Sequence, residues 1–208
     1  MTLRKTKPDR VKKSGPPRVT ADPVTAAAGA ALTFFLIYSG GLRYPIAVTL
    51  SLLTHEAGHL LMARALSVPL SRVRIGVCGL NLRFDYSGTS VRREIAVCLA
   101  GPVLGASVSL IAARAGLGNL PGGMYFILSG FVLAGVNLLP VKGLDGGAAF
   151  AAMLDAVTLP DRSFRIAGAV SAIFTALFCS LTAYVGIRGG FNVSMLLLSI
   201  WFLTSPDR

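Results

Sequence analysis

The chain alternates long apolar runs with short polar connections, and the length of these runs indicates the fold class. A helix of about 20 predominantly apolar residues crosses a bilayer, and six runs fit or approach that length. They cover residues 23–39, 43–66, 94–113, 123–139, 164–185 and 191–203. The pattern predicts an all-α polytopic membrane protein with about six transmembrane helices, forming a single domain over residues 23–204.

One stretch between the second and third runs changes from helical periodicity to strict alternation. Between Ser71 and Tyr86, apolar side chains occupy every second position on either side of Cys78-Gly79, a plausible turn. Period-two alternation predicts a small β-hairpin at the membrane surface. Two roles stay open for this hairpin. It is either a structural connection or an exposed edge that pairs with an extended substrate backbone.

Composition places the chain in the bilayer. Hydrophobic residues make up 53% of the sequence and charged residues 14%, which excludes a soluble globule. The net charge of +11 does not indicate a nucleic-acid partner, because the basic residues lie beside the apolar runs. With the N-terminus in the cytoplasm, only Arg43, Arg114 and Arg188 of 20 basic residues fall in outer loops. This distribution follows the positive-inside rule.

The segment before the first run is polar and basic. Residues 1–22 contain seven Lys and Arg residues and are rich in proline, which predicts a disordered cytoplasmic tail. Its simplest role is a topology signal. Attraction to anionic lipid headgroups, about 1 kcal/mol per basic residue near the surface, is a second role.

Both histidines of the protein lie in the second run, within His55-Glu56-Ala57-Gly58-His59. Residues four apart share one helix face, about 6 Å apart along the axis, so both imidazoles can bind one ion. The H-E-x-x-H spacing suits Zn²⁺ and leaves Glu56 beside the metal as a general base. A hydrogen-bonded pair without a function is the weaker interpretation, because a charge at mid-depth costs about 2.5–3.5 kcal/mol.

A second polar cluster follows the fourth run, in the sequence Asn-Leu-Leu-Pro-Val-Lys-Gly-Leu-Asp-Gly-Gly of residues 137–147. Pro140 ends the helix, and alternation of the spans returns this end to the depth of the histidines. Asp145 is therefore the predicted third protein ligand, which leaves the fourth zinc position for water. An ordinary Asp-Gly turn is the alternative. Residues 146–157 predict a short interfacial helix.

These motifs, in this order, resemble the site-2 protease family of intramembrane zinc metalloproteases (peptidase family M50). The resemblance covers about residues 51–147 and includes the Gly101-Pro102 span after the hairpin. It implies that His55, His59 and Asp145 bind zinc and that Glu56 activates water. It further implies that Asn137 and Pro140 help shape the substrate site. Two positions depart from the family pattern. Gly143 stands where many members have a second proline, and Ala148 where an arginine is frequent.

The compact layout is most similar to the short sporulation-factor branch of that family. The resemblance implies a bacterial cell-membrane protein that cleaves a membrane-tethered pro-sigma factor and is held inactive by membrane protein partners. The mechanism that we expect has Glu56 take a proton from water and pass it to the leaving amine, while zinc, together with the Asn137 amide, stabilises the developing oxyanion. A metal-ion transporter and a catalytically silent membrane scaffold are the alternatives. Polarity concentrated in two places disfavours the transporter, and Glu56 disfavours the scaffold.

Overall fold

The computed structural model describes residues 18–21, 30, 34, 37–38, 41–76, 79–189 and 199 of the 208-residue chain. Within these residues the protein is mostly helical, with one small sheet. The helices are α1 (Arg43–Ala65), α2 (Val91–Arg114), α3 (Gly123–Asn137), α4 (Asp145–Val157) and α5 (Pro160–Gly189). The strands are β1 (Arg18–Ala21), β2 (Leu70–Gly76) and β3 (Gly79–Phe84), and a short 3-10 helix covers Leu117–Asn119.

Three of the described helices are long and apolar enough to cross a membrane. They are α1, α2 and residues 160–188 of α5. Helix α3 is also apolar but has only 15 residues, which at about 1.5 Å per residue is shorter than the hydrocarbon core. The prediction of a helical membrane protein is confirmed, with three candidate membrane-spanning helices among the described residues. Most of the predicted first and sixth spans, residues 23–39 and 191–203, lies outside the described residues.

On α1, small and polar side chains face the inside of the helix bundle, and several leucines face outward. The buried positions of α1 are Ala47, Ser51, His55, Gly58, His59 and Ala63. On the same helix, Leu50, Leu53 and Leu61 are exposed. Membrane helices pack in this way because lipid tails solvate leucine as well as a protein core does, whereas small residues let two backbones approach. Helix α2 packs against α1, α3 and α4, so it is the central element.

The predicted hairpin is present as an antiparallel pair of β2 and β3, paired from Leu70 opposite Phe84 to Gly76 opposite Gly79, with a register shift between Leu70 and Arg72. Residues 77–78 of the predicted turn lie outside the described part of the chain. Strand β1 pairs in parallel with the other edge of β2, so the order is β1-β2-β3. Arg18–Ala21 is therefore not a disordered tail, because β2 offers its backbone groups a hydrogen-bonding edge. The rest of the predicted tail, residues 1–17 and 22, lies outside the described residues.

A small apolar cluster attaches this sheet to the helices. Ala63, Val68 and Val97 are buried together, and Phe84 and Tyr86 at the end of β3 pack against them. The cluster joins the C-terminal end of α1 to the N-terminal half of α2. It therefore holds the sheet at the end of the bundle nearer to the histidines.

Candidate metal centre

Three side chains from distant parts of the chain converge at one point inside the bundle. The Oδ2 atom of Asp145 lies 3.0 Å from Nε2 of His55 and 3.1 Å from Nε2 of His59. The two Nε2 atoms lie 3.2 Å apart. Both histidines are buried, with 3% and 5% of their surface exposed. Among the described residues this is the group of histidine, cysteine and carboxylate side chains that could hold a metal ion.

The spacing of the three atoms fits a tetrahedral zinc site. Ligands about 2.0–2.1 Å from a zinc ion lie about 3.3 Å from one another along a tetrahedron edge. The three observed separations, 3.0, 3.1 and 3.2 Å, are close to that value. Two histidines and one aspartate also match the three-ligand sets of catalytic zinc sites, in which the fourth position binds water or substrate.

The orientation of His59 is set by the backbone of α2. Its Nδ1 atom lies 2.8 Å from the carbonyl oxygen of Val97, which can only accept a hydrogen bond. Nδ1 therefore carries the proton, and the lone pair of Nε2 points toward His55 and Asp145. Lone pairs of Nε2 and of a carboxylate oxygen repel one another at 3.1 Å. A cation or a shared proton between them removes that repulsion, so the donor set fits a metal.

His55 has a different environment. Its Nδ1 atom is buried and has no hydrogen-bond partner among the described residues. It faces α2 near Gly105, where an added Cβ would lie 3.9 Å from Nδ1. Its Nε2 atom meets both other members of the group, and Nε2 is the atom that a metal would use.

Close approach of α1 and α2 makes room for the two imidazoles. A Cβ atom at Gly101 would overlap the His59 ring, and a Cβ atom at Gly58 would overlap the carbonyl of Ala100. Glycine at both positions lets the helices touch backbone to backbone. Pro102 is buried at the same level, within a helix that continues through it. The Gly101-Pro102 span, noted in the sequence as part of the family resemblance, thus packs against the histidine-bearing helix.

Asp145 reaches the histidines through a break between α3 and α4. Helix α3 ends at Asn137, and α4 begins at Asp145 itself. The intervening turn includes Gly143 with φ of 90°, a value that proline cannot adopt because its ring holds φ near −65°. Glycine suits this position of the turn, and proline would not.

The other predicted site residues lie on α1 and between the end of α3 and Asp145. Glu56 follows His55 in α1, is half-buried, and interacts electrostatically with His59 and Asp145. Asn137 is half-buried, and its Nδ2 atom donates to the Leu133 carbonyl of its own helix at 2.9 Å. Pro140 is half-buried in the segment that leads to Asp145. No described hydrogen bond joins Asn137 to the two histidines or Asp145.

Tyr86 is a residue near the site that the sequence did not single out. It follows β3, and its hydroxyl lies 3.8 Å from Sγ of Cys98, next to Val97 in α2. Burial raises the pKa of the Tyr86 phenol, and the nearby Cys98, Glu94 and Asp145 raise that pKa further. The phenol therefore remains protonated. Val97 was also missed, because a backbone carbonyl leaves no chemical signature in a single sequence.

The fold has a counterpart among solved structures. The site-2 protease from Methanocaldococcus jannaschii matches with a TM-score of 0.67 over 88% of this chain and 86% of that chain, at 18% sequence identity. The resemblance to a site-2 protease is thereby confirmed for the fold. No protein-family model and no curated protein sequence matches the chain.

Proposed function

We propose that the protein is an intramembrane zinc metalloprotease that hydrolyses a peptide bond of a membrane-associated substrate. The observation that carries this proposal is the convergence of His55 and His59 with Asp145, which lies 90 residues further along the chain, on one point at 3.0–3.2 Å. The shared fold with a site-2 protease supports it. A role without metal binding would not need two buried imidazoles and a half-buried carboxylate to meet.

His55, His59 and Asp145 would hold the zinc ion through Nε2, Nε2 and Oδ2. Zinc bound there supplies Lewis acidity, which lowers the pKa of water and polarises a carbonyl group. The Val97 carbonyl keeps the His59 ring in the required tautomer, and the packing of Gly58 and Gly101 keeps both rings in place. These contacts preorganise the ligands before any substrate arrives.

Glu56 is the proposed general base. It lies on the same helix as both histidines, so the helix sets its distance from them. Its carboxylate accepts a proton from the attacking water and then delivers that proton to the leaving amine. A carboxylate can do both, because it binds and releases a proton. Asn137 and Pro140 are proposed to line the substrate path at the end of α3. The second amide hydrogen of Asn137 is the one available to an oxyanion there.

The sheet is the proposed docking element for an extended substrate. Among the described strands β3 pairs only with β2, and it continues into Phe84 and Tyr86, which pack beside Val97. A substrate helix must unwind before its carbonyl can be attacked, because its own hydrogen bonds shield that carbonyl. Hydrogen bonds along the outer edge of β3 would offset that cost. Strand β1 already covers the equivalent edge of β2.

We further propose that the N-terminus and the site face the cytoplasm of a bacterial cell, in a multi-pass protein. The excess of basic residues near the histidine end supports this orientation. The proposed substrate is a membrane-tethered regulator of the pro-sigma-factor class, and inhibitory membrane proteins are the proposed partners. Both follow from the sequence resemblance to the sporulation-factor branch.

The test is cleavage by the Glu56→Gln variant. Wild type and variant are purified in detergent and reconstituted with a labelled single-span model substrate that has a helix-weakening Gly-Pro pair near one membrane face. We expect wild type to release a truncated product and the variant to release less than about one hundredth as much, because the proton acceptor is lost. Zinc content should be equal in the two proteins. Equal cleavage by the variant would contradict the assigned role of Glu56.

A further inference from the structure

Helix α5 has an unusual pair of buried residues. Ser163 and Ser171 are buried at 2% and 7% exposure, whereas the other described side chains of this 30-residue helix are exposed or half-buried. Large apolar residues such as Ile173, Leu177 and Ile187 are exposed. Membrane helices bury small polar residues where they bond to another segment. The two serines therefore mark where α5 meets the rest of the protein.

Ser171 bonds to the segment that carries Asp145. Its Oγ atom accepts a hydrogen bond of 2.9 Å from the backbone N–H of Lys142, three residues before Asp145. Lys142 lies between the end of α3 at Asn137 and the start of α4 at Asp145, where backbone groups take hydrogen-bond partners outside a regular helix. Such bonds matter at membrane depth, because a backbone group without a partner there costs several kcal/mol.

Apolar packing holds the same segment against the same helix. Val141 and Leu144 are buried, and they pack with Phe174 and Phe178 of α5. The ammonium group of Lys142 lies 4.6 Å from the centre of the Phe164 ring. Leu144 directly precedes Asp145, which begins α4. Helix α5 therefore holds the segment that leads into Asp145, and α4 itself also packs against α2, whereas His55 and His59 lie on α1 against α2.

We propose that Ser171 is a positioning residue for the metal centre. The proposal rests on the proposed function. The Ser171 hydroxyl fixes the Lys142 backbone, and this backbone places the Asp145 carboxylate within ligand distance of His55 and His59. Ligand distances in a zinc site tolerate only about 0.2 Å of error. Loss of the anchor therefore weakens metal binding through Asp145 and leaves the histidine pair unchanged.

The first measurement is zinc affinity by chelator competition on the full-length protein in detergent. We expect Ser171→Ala to bind zinc about tenfold more weakly than wild type, the lower end of the usual effect of removing an outer contact of a ligand. Two matched controls lose a serine hydroxyl from the same helix: Ser163→Ala at a buried position and Ser180→Ala at an exposed one. Both should bind zinc within about twofold of wild type.

A double-mutant cycle separates positioning from general destabilisation. In an Asp145→Ala background, adding Ser171→Ala should cause no further loss of zinc affinity, because the ligand that the anchor places is already absent. An equal loss in both backgrounds would overturn the proposal. So would a Ser171→Ala affinity equal to that of Ser180→Ala.

Hydrogen exchange tests the anchor without zinc. In the metal-free protein, a peptide covering residues 140–146 should exchange faster in Ser171→Ala than in Ser163→Ala, because the Lys142 N–H has lost its acceptor. Equal exchange would overturn the proposal. Faster exchange in a protein whose zinc affinity does not depend on Asp145 would instead show that the anchor exists and that the proposed metal site is wrong.

Discussion

The two halves of the candidate metal centre are built by different means. His55 and His59 lie on one continuous helix, and α2 presses against them where Gly58 and Gly101 leave no side chain between the backbones. Asp145 stands after an irregular turn that begins at Asn137 and is attached to α5 by one hydrogen bond and a small apolar cluster. On the histidine side, direct contact between α1 and α2 sets the ligand geometry. On the aspartate side, the geometry depends on a turn and on the contact of that turn with α5.

The largest effect is expected from crowding the histidine side. In Gly101→Ala the new Cβ would meet the His59 ring at Nε2, the atom proposed to bind metal. Displacing that ring should lower zinc affinity about 100-fold, the upper end of what changes around a ligand cause. Overpacking of this kind costs about 1–3 kcal/mol of stability. Chelator competition and thermal unfolding of the purified protein measure the two effects.

Gly135→Ala is the matched control for this prediction. A Cβ atom at Gly135, in α3, would have no neighbour within 4 Å. Alanine in a helix is favoured over glycine by about 0.5–1 kcal/mol, so this variant should be as stable as wild type or more so, with unchanged zinc affinity. Should Gly101→Ala behave like Gly135→Ala, the close approach of α1 and α2 would not be what orients His59.

A smaller effect is expected from reshaping the turn on the aspartate side. Gly143→Pro inserts the residue that many family members carry, yet φ of 90° at Gly143 excludes the proline ring. The turn must rearrange, and zinc affinity should fall about tenfold through displacement of Asp145. Gly88→Pro imposes a similar conflict at φ of 77° in the loop before α2. That control should lose stability and keep its zinc affinity; equal zinc affinity in both variants would refute the assignment of the turn.

The same contrast explains how much of the molecule the sequence could predict. Periodicity located α1 at residues 43–66 against the observed Arg43–Ala65, and the hairpin at 71–86 against strands from Leu70 to Phe84. These elements follow from local patterns. The pairing of β1 with β2 was not predicted, because Arg18–Ala21 is short and its partner lies more than 50 residues further along the chain.

Within the site, chemistry was easier to predict than support. His55, Glu56 and His59 carry their own signature in the spacing, and Asp145 was placed near them by counting spans. The Val97 carbonyl and the Ser171 hydroxyl could not be found in this way. Each acts through a backbone hydrogen bond, and each depends on which helices touch. Serine in a membrane span is a weak signal until its partner is known.

Zinc titration of purified wild type, Asp145→Ala and Glu56→Gln tests the central claim most directly. If His55, His59 and Asp145 bind one ion and Glu56 acts beside it, wild type and Glu56→Gln bind one zinc per chain with equal affinity. Asp145→Ala then binds zinc at least about tenfold more weakly, since one of three protein ligands is lost. An Asp145→Ala protein that binds zinc as tightly as wild type would contradict the account.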